Sequence, residues 1–200
     1  MYELRRLFKR HIEENFLKYI LILILFFAGV LAGFAFFGGA SGVFSETLNG
    51  EVGAFIDGFP EGSFDKLEIA KTSLSKNFRI IFLVFIGGLS VWLSPVLLGT
   101  FFSYGFSLGF TLSYLSGSFG FRGFGVAITS VIFAFVINVP IYIISGVVAY
   151  NNARYKRRGR SLEGGLGLYS VIFVSLFLIS AISVIFDTFL VPWIISLICS

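Results

Sequence analysis

Long stretches of this 200-residue chain carry no charge, and that limits its folds more than any other feature. No charged residue falls between Lys18 and Glu46. A further 42 uncharged residues separate Arg79 from Arg122, 31 separate Arg122 from Arg154, and 23 separate Glu163 from Asp187. A helix crosses a bilayer with about 20 apolar residues. The gaps therefore hold one span at about Tyr19–Phe37, two between Arg79 and Arg122, one at about Phe124–Tyr150, and a fifth before Asp187. The second and third would part at "LSPVLLG", where Pro95 and Gly99 permit a tight turn. Composition agrees: 56% of residues are hydrophobic, only 13% are charged, and the mean hydropathy is +0.93. A soluble domain carries about 25% charged residues. Runs such as "YILILILFFAGVLAG" are unbroken rather than alternating, so helices are expected and barrel strands are not. The fold class is an all-α polytopic membrane protein with about five transmembrane helices and an N-terminal amphipathic helix.

The segments between the gaps assign sides. Residues 1–18 carry Arg5, Arg6, Lys9, Arg10 and Lys18, and "ARYKRRGR" adds Arg154, Lys156, Arg157, Arg158 and Arg160. Five spans place both clusters on one side. The segment 45–77, with six acids and three lysines, falls on the other. Basic residues concentrate at the cytoplasmic face. The expectation is a multi-pass cell-membrane protein with a cytoplasmic N-terminus, and with 45–77 and the C-terminus outside. The basic loop would set orientation and hold anionic lipid; a short loop offers no folded face for nucleic acid. Leu4, Leu7, Phe8, Ile12 and Phe16 recur at helical spacing among basic residues. They read as an amphipathic cytoplasmic helix over 1–18, or as an extension of the first span. The apolar run is longer than the about 7–15 residues of a signal peptide, so a retained anchor is expected. Residues 19–200 form the membrane domain. "DGFPEGS" is a turn, and Phe64, Leu67, Ala70 and Leu74 suggest a helix entering the second span. The tail after Asp187, interrupted by Pro192, would lie in the interface on Trp193 or extend a tilted fifth helix.

Chemistry-bearing residues are few. The chain has one His, His11, and one Cys, Cys199, so no His/Cys metal cluster and no intrachain disulfide can form. No cofactor is expected. Hydrolysis needs an activated nucleophile or a metal, and no in-span base is evident to supply one. A non-enzymatic role is expected. Asp187, the one acid near a span, reads as an interfacial or helix-end residue. Gly29 and Gly33 in "GVLAG", and Gly105 and Gly109 in "GFSLG", share helix faces four residues apart. Such faces let helix backbones approach closely, inside one chain or in an oligomer. In "VINVPIY", Pro140 loosens the fourth helix, and Asn138 can hydrogen-bond a freed carbonyl or a neighbouring helix.

In order and spacing, these elements resemble the stage II sporulation protein M family over nearly the whole chain. The resemblance rests on the basic start, "GVLAG", the acidic outer segment, "FLVFIGGLSVWLSPVLLGTFFSYGFSLGFTLSYL", "GFRGFGVAITSVIF", "NVPIYIISG" and "FDTFLVPWI". Family members carry a His-Gly pair and a Glu before the proline of the fourth span; here Ala134, Phe135 and Asn138 stand there, and Pro140 matches. The resemblance implies a non-catalytic membrane scaffold or complex subunit, whose namesake anchors cell-wall hydrolases during engulfment. Its partners would be the bilayer and membrane or cell-wall-remodelling proteins, with a homo-oligomer open. The alternative is a transport component or lipid-moving protein that uses the kinked fourth helix.

Overall fold

The computed structural model describes residues 2–39, 66–157 and 165–199. Among these residues only Ser90 lies outside a helix. We number the α-helices α1 (Tyr2–Gly39), α2 (Lys66–Leu89), α3 (Ser94–Phe133), α4 (Val139–Arg157), α5 (Gly165–Ile185) and α6 (Val191–Cys199). A 3₁₀ turn, Val91–Leu93, joins α2 to α3. Two π segments, Ala134–Asn138 and Phe186–Leu190, join α3 to α4 and α5 to α6. Among the described residues five stretches are long and apolar enough to cross a membrane: Glu13–Phe37, Lys66–Leu89, Val91–Ser118, Phe135–Lys156 and Gly165–Ile195.

The breaks have local causes. Ser90 is extended, at φ −149° and ψ 153°, and ends α2; Pro95 then sits in the first turn of α3, where its missing N–H costs no bond. Gly99 does not form the turn as expected; it lies within α3, facing open space. Gly120 has φ +57°, reachable by glycine without strain, and divides α3 into arms 94–119 and 121–133. Helix α1 runs unbroken from Tyr2, so the N-terminal segment takes the second of its two expected forms, an extension of the first span. The tail likewise continues the fifth span through the second π segment and α6. Within the predicted outer segment 45–77, residues 66–77 are helical in α2, as the spacing of Leu67, Ala70 and Leu74 suggests, while 45–65 lies outside the described residues. Lys71, Lys76 and Arg79 made these residues read as extramembrane, yet they are exposed on the flank of a helix whose other face is buried.

Contacts between helices set their register. Gly29 opposes Phe102 and Phe106, and Gly33 opposes Phe106 and Phe110, so α1 and the first arm of α3 run parallel. Asn77 meets Tyr142, and Gly88 meets Asn152, so α2 and α4 run parallel too. Tyr169 meets Phe85, and Ser180 meets Asn77, so α5 runs against α2. The main core joins Ile22 and Phe26 of α1 to Val84, Leu97, Phe101, Val147 and Phe173. A second cluster, Tyr114, Leu115, Val126, Ala127 and Ile195, closes the end near Gly120.

Candidate functional site

The middle of this bundle is polar. Asn77 is fully buried on α2. Its Oδ1 accepts from the Tyr142 hydroxyl at 2.7 Å, and its Nδ2 donates to the Ser180 carbonyl and to Ser183 Oγ, each at 3.1 Å. Ser183 in turn donates to the Ser180 carbonyl at 2.8 Å. The Tyr104 ring stands edge-on to Tyr142, with centroids 5.2 Å apart. Asn77, Tyr104, Tyr142 and Ser180 each lie well inside their spans. The register above brings them to one level near the middle of the bundle.

Around this network, buried polar atoms lack hydrogen-bond partners. They are both side-chain atoms of Asn138, the Tyr104 hydroxyl, Ser180 Oγ and Thr188 Oγ1. Ser180 Oγ lies near the Tyr142 hydroxyl without hydrogen-bond geometry, and the Tyr142 proton goes to Asn77. Asn138 precedes Tyr142 by four residues, which places both on one face of the helix. The expected bond from Asn138 to a freed carbonyl or a neighbouring helix does not form. Asn138 ends the first π segment and is fully buried, and among the described residues nothing meets its amide. Interior amides of this kind are normally satisfied by water or a ligand.

Two prolines account for the two π segments. Pro140 cannot donate to the carbonyl of Val136, nor Pro192 to that of Thr188. Each freed carbonyl lies within a π segment, a form enriched at functional sites. Asp187 is half-buried within the fifth apolar stretch, Gly165–Ile195. Lys76 and the Tyr104 and Tyr142 hydroxyls lie within electrostatic reach of its carboxyl group, with Ser73 beside it.

The predicted glycine faces meet each other. A Cβ on Gly29 or Gly33 would strike the Phe102 or Phe106 carbonyl oxygen, and one on Gly105 or Gly109 that of Phe26 or Val30. The four glycines thus form one seam inside the chain, between α1 and α3. Ser113 donates across the same seam to the Phe34 carbonyl at 3.1 Å. Of the basic loop, Arg154 and Lys156 are exposed at the end of α4, beside Lys18 of α1. The side chain of Arg157 and the whole of Arg158 and Arg160 lie outside the described residues. Among the described residues no group of His, Cys, Asp and Glu is placed to hold a metal.

The sequence reading singled out Asn138, Pro140 and Asp187 but missed Asn77, Tyr104, Tyr142, Ser180 and Ser183. Serines and tyrosines are common in apolar spans, and nothing in their spacing distinguishes the buried ones. No curated protein and no solved structure matches the chain significantly. The stage II sporulation protein M family matches residues 22–192, which include the glycine seam, both π segments and the polar centre. The chain therefore belongs to the stage II sporulation protein M family.

Proposed function

We propose that this protein is a membrane scaffold, a subunit that holds a partner in the bilayer and has no turnover of its own. One observation carries the reading. The outer half of α2 presents Lys71, Thr72, Ser75, Lys76 and Arg79 as exposed residues. Arg79 stands two residues from Asn77, at the level of the polar centre, beside the exposed and mutually stacked rings of Phe78 and Phe82. A guanidinium facing hydrocarbon at mid-membrane costs about 2.5 kcal/mol or more. A partner helix carrying a carboxylate at that depth removes the cost. The resemblance suggests a cell-wall-remodelling protein, or a membrane protein bound to one, as that partner.

A second reading, a transport component, is favoured by the unpartnered amide of Asn138 and its neighbours between two π segments. One experiment separates the two. A photocrosslinking residue at Thr72 or Ser75 in native membranes should capture a distinct membrane protein, and Arg79→Glu should abolish the capture. The purified protein in liposomes should pass no ions, lipid or small solutes, and should not hydrolyse peptidoglycan. Crosslinks to lipid alone, together with a flux that Asn138→Leu removes, would establish the transport reading instead.

A further inference from the structure

At the end of the bundle opposite Gly120, α1 and α4 enclose a small recess of about 120 Å³ lined by Lys18, Asn151, Arg154 and Tyr155. From these residues we infer a binding site for a phosphate group, carried by an anionic lipid.

The recess is built from both helices. Lys18 donates to Asn15 Oδ1 at 2.6 Å and also to Asn151 Oδ1. Asn151 Nδ2 donates back to Asn15 Oδ1 at 2.9 Å. This triangle of amides holds the ammonium half-buried and, among the described residues, leaves one of its three N–H bonds unused. Arg154 lies over the Tyr150 ring, 5.9 Å from its centroid, and makes no hydrogen bond or ion pair among the described residues. Its five donors are therefore open to an acceptor.

Two cations thus line one recess, and the positive charge of Arg154 acts on Lys18. No acid is in the lining. Glu13 and Glu14 stand on the first helix near Lys18, exposed and outside the recess. Bringing two like charges together is unfavourable unless an anion sits between them. The donor set of ammonium, guanidinium and phenol suits phosphate oxygens, which Arg binds in bidentate fashion and Lys as a point charge. The surroundings favour a lipid as the carrier. Leu17, Leu21 and Ile24 continue along α1 with 80%, 46% and 64% exposure, a surface suited to acyl chains. A phospholipid there would meet donors with its headgroup and apolar helix with its tail. This site is independent of the scaffold reading and of the α2 surface.

The test uses the full-length protein in nanodiscs of phosphatidylcholine alone or with phosphatidylglycerol, read by native mass spectrometry after release into mild detergent. The intact protein should retain phosphatidylglycerol and raise its unfolding temperature in its presence. Lys18→Gln and Arg154→Gln should each weaken that retention by about tenfold, and Arg154→Lys should restore part of it. Lys66→Gln, a charge change at the other end of the bundle that does not line the recess, should leave it intact. Competition by millimolar inorganic phosphate would identify a small phosphate as the natural occupant; its failure to compete would leave the lipid. Equal loss in all three glutamine variants would mean diffuse surface attraction and overturn the site, as would equal retention in all of them. If a variant unfolds, the unchanged protein still decides: an unfolding temperature that ignores phosphatidylglycerol rejects the proposal.

Discussion

Asn77 is the residue on which the interior most depends. It links α2 to α4 and α5 through three hydrogen bonds in a setting without bulk water. Replacing it with leucine would leave the Tyr142 hydroxyl and Ser183 without their partner. An orphaned buried polar group costs about 1–3 kcal/mol. Asn77→Leu should therefore lower thermal stability in detergent, and adding Tyr142→Phe should recover part of the loss. Asn138→Leu should do the opposite, holding or raising stability, because its amide has no partner among the described residues. A marked loss in Asn138→Leu would mean that the amide holds water or a ligand essential to the fold. The sequence made Asn138 visible through Pro140. It hid Asn77, because Lys76 and Arg79 beside it marked the region as extramembrane. Burial of Asn77 depends on which face of α2 turns inward, and charge counting carries no information on that.

At the scale of elements, α1 and α3 pack backbone against backbone along the glycine seam. Lipid tails are as apolar as leucine, so helices associate by close packing and not by escape from water. A methyl at any of the four seam glycines collides with backbone, which cannot move aside as a side chain can. Gly29→Ala or Gly105→Ala should each destabilise by about 1–3 kcal/mol through overpacking, and Gly→Leu by more. Gly99→Ala in the same helix meets open space and should be neutral or stabilise by up to about 1 kcal/mol. Unfolding temperatures measured together in one detergent give the comparison; equal effects at Gly99 and Gly105 would remove the seam as a determinant. The spacing of four was legible in the sequence. That the two faces meet each other within one chain was not, because spacing describes one helix and contact requires two.

For the whole molecule, the parallel pairings bring the two basic regions to one end. Lys18 bonds Asn151 there, while Lys66 lies over the Phe189 ring, 5.4 Å from its centroid, at the other end. The structure relates the ends to each other, and the excess of basic residues proposes which is cytoplasmic. In a Cys199→Ser background, Lys66→Cys should react with a membrane-impermeant thiol reagent in whole cells. Lys156→Cys should react only after permeabilisation. The reverse pattern would invert the orientation without altering the fold.

The sequence by itself determined the class and the number of spans. Those follow from the cost of placing charge and unpaired backbone in hydrocarbon, and that cost can be read residue by residue. It also marked the two proline sites where the helices change to π form, since a missing N–H is a local property. Only the tertiary structure decided what the spans enclose. The level shared by Asn77, Tyr104, Tyr142 and Ser180 arises from the register among four helices. The recess at Lys18 and Arg154 joins residues 136 positions apart in the chain. Helix rotation and register are set by the fit of many side chains at once, and no single segment encodes them.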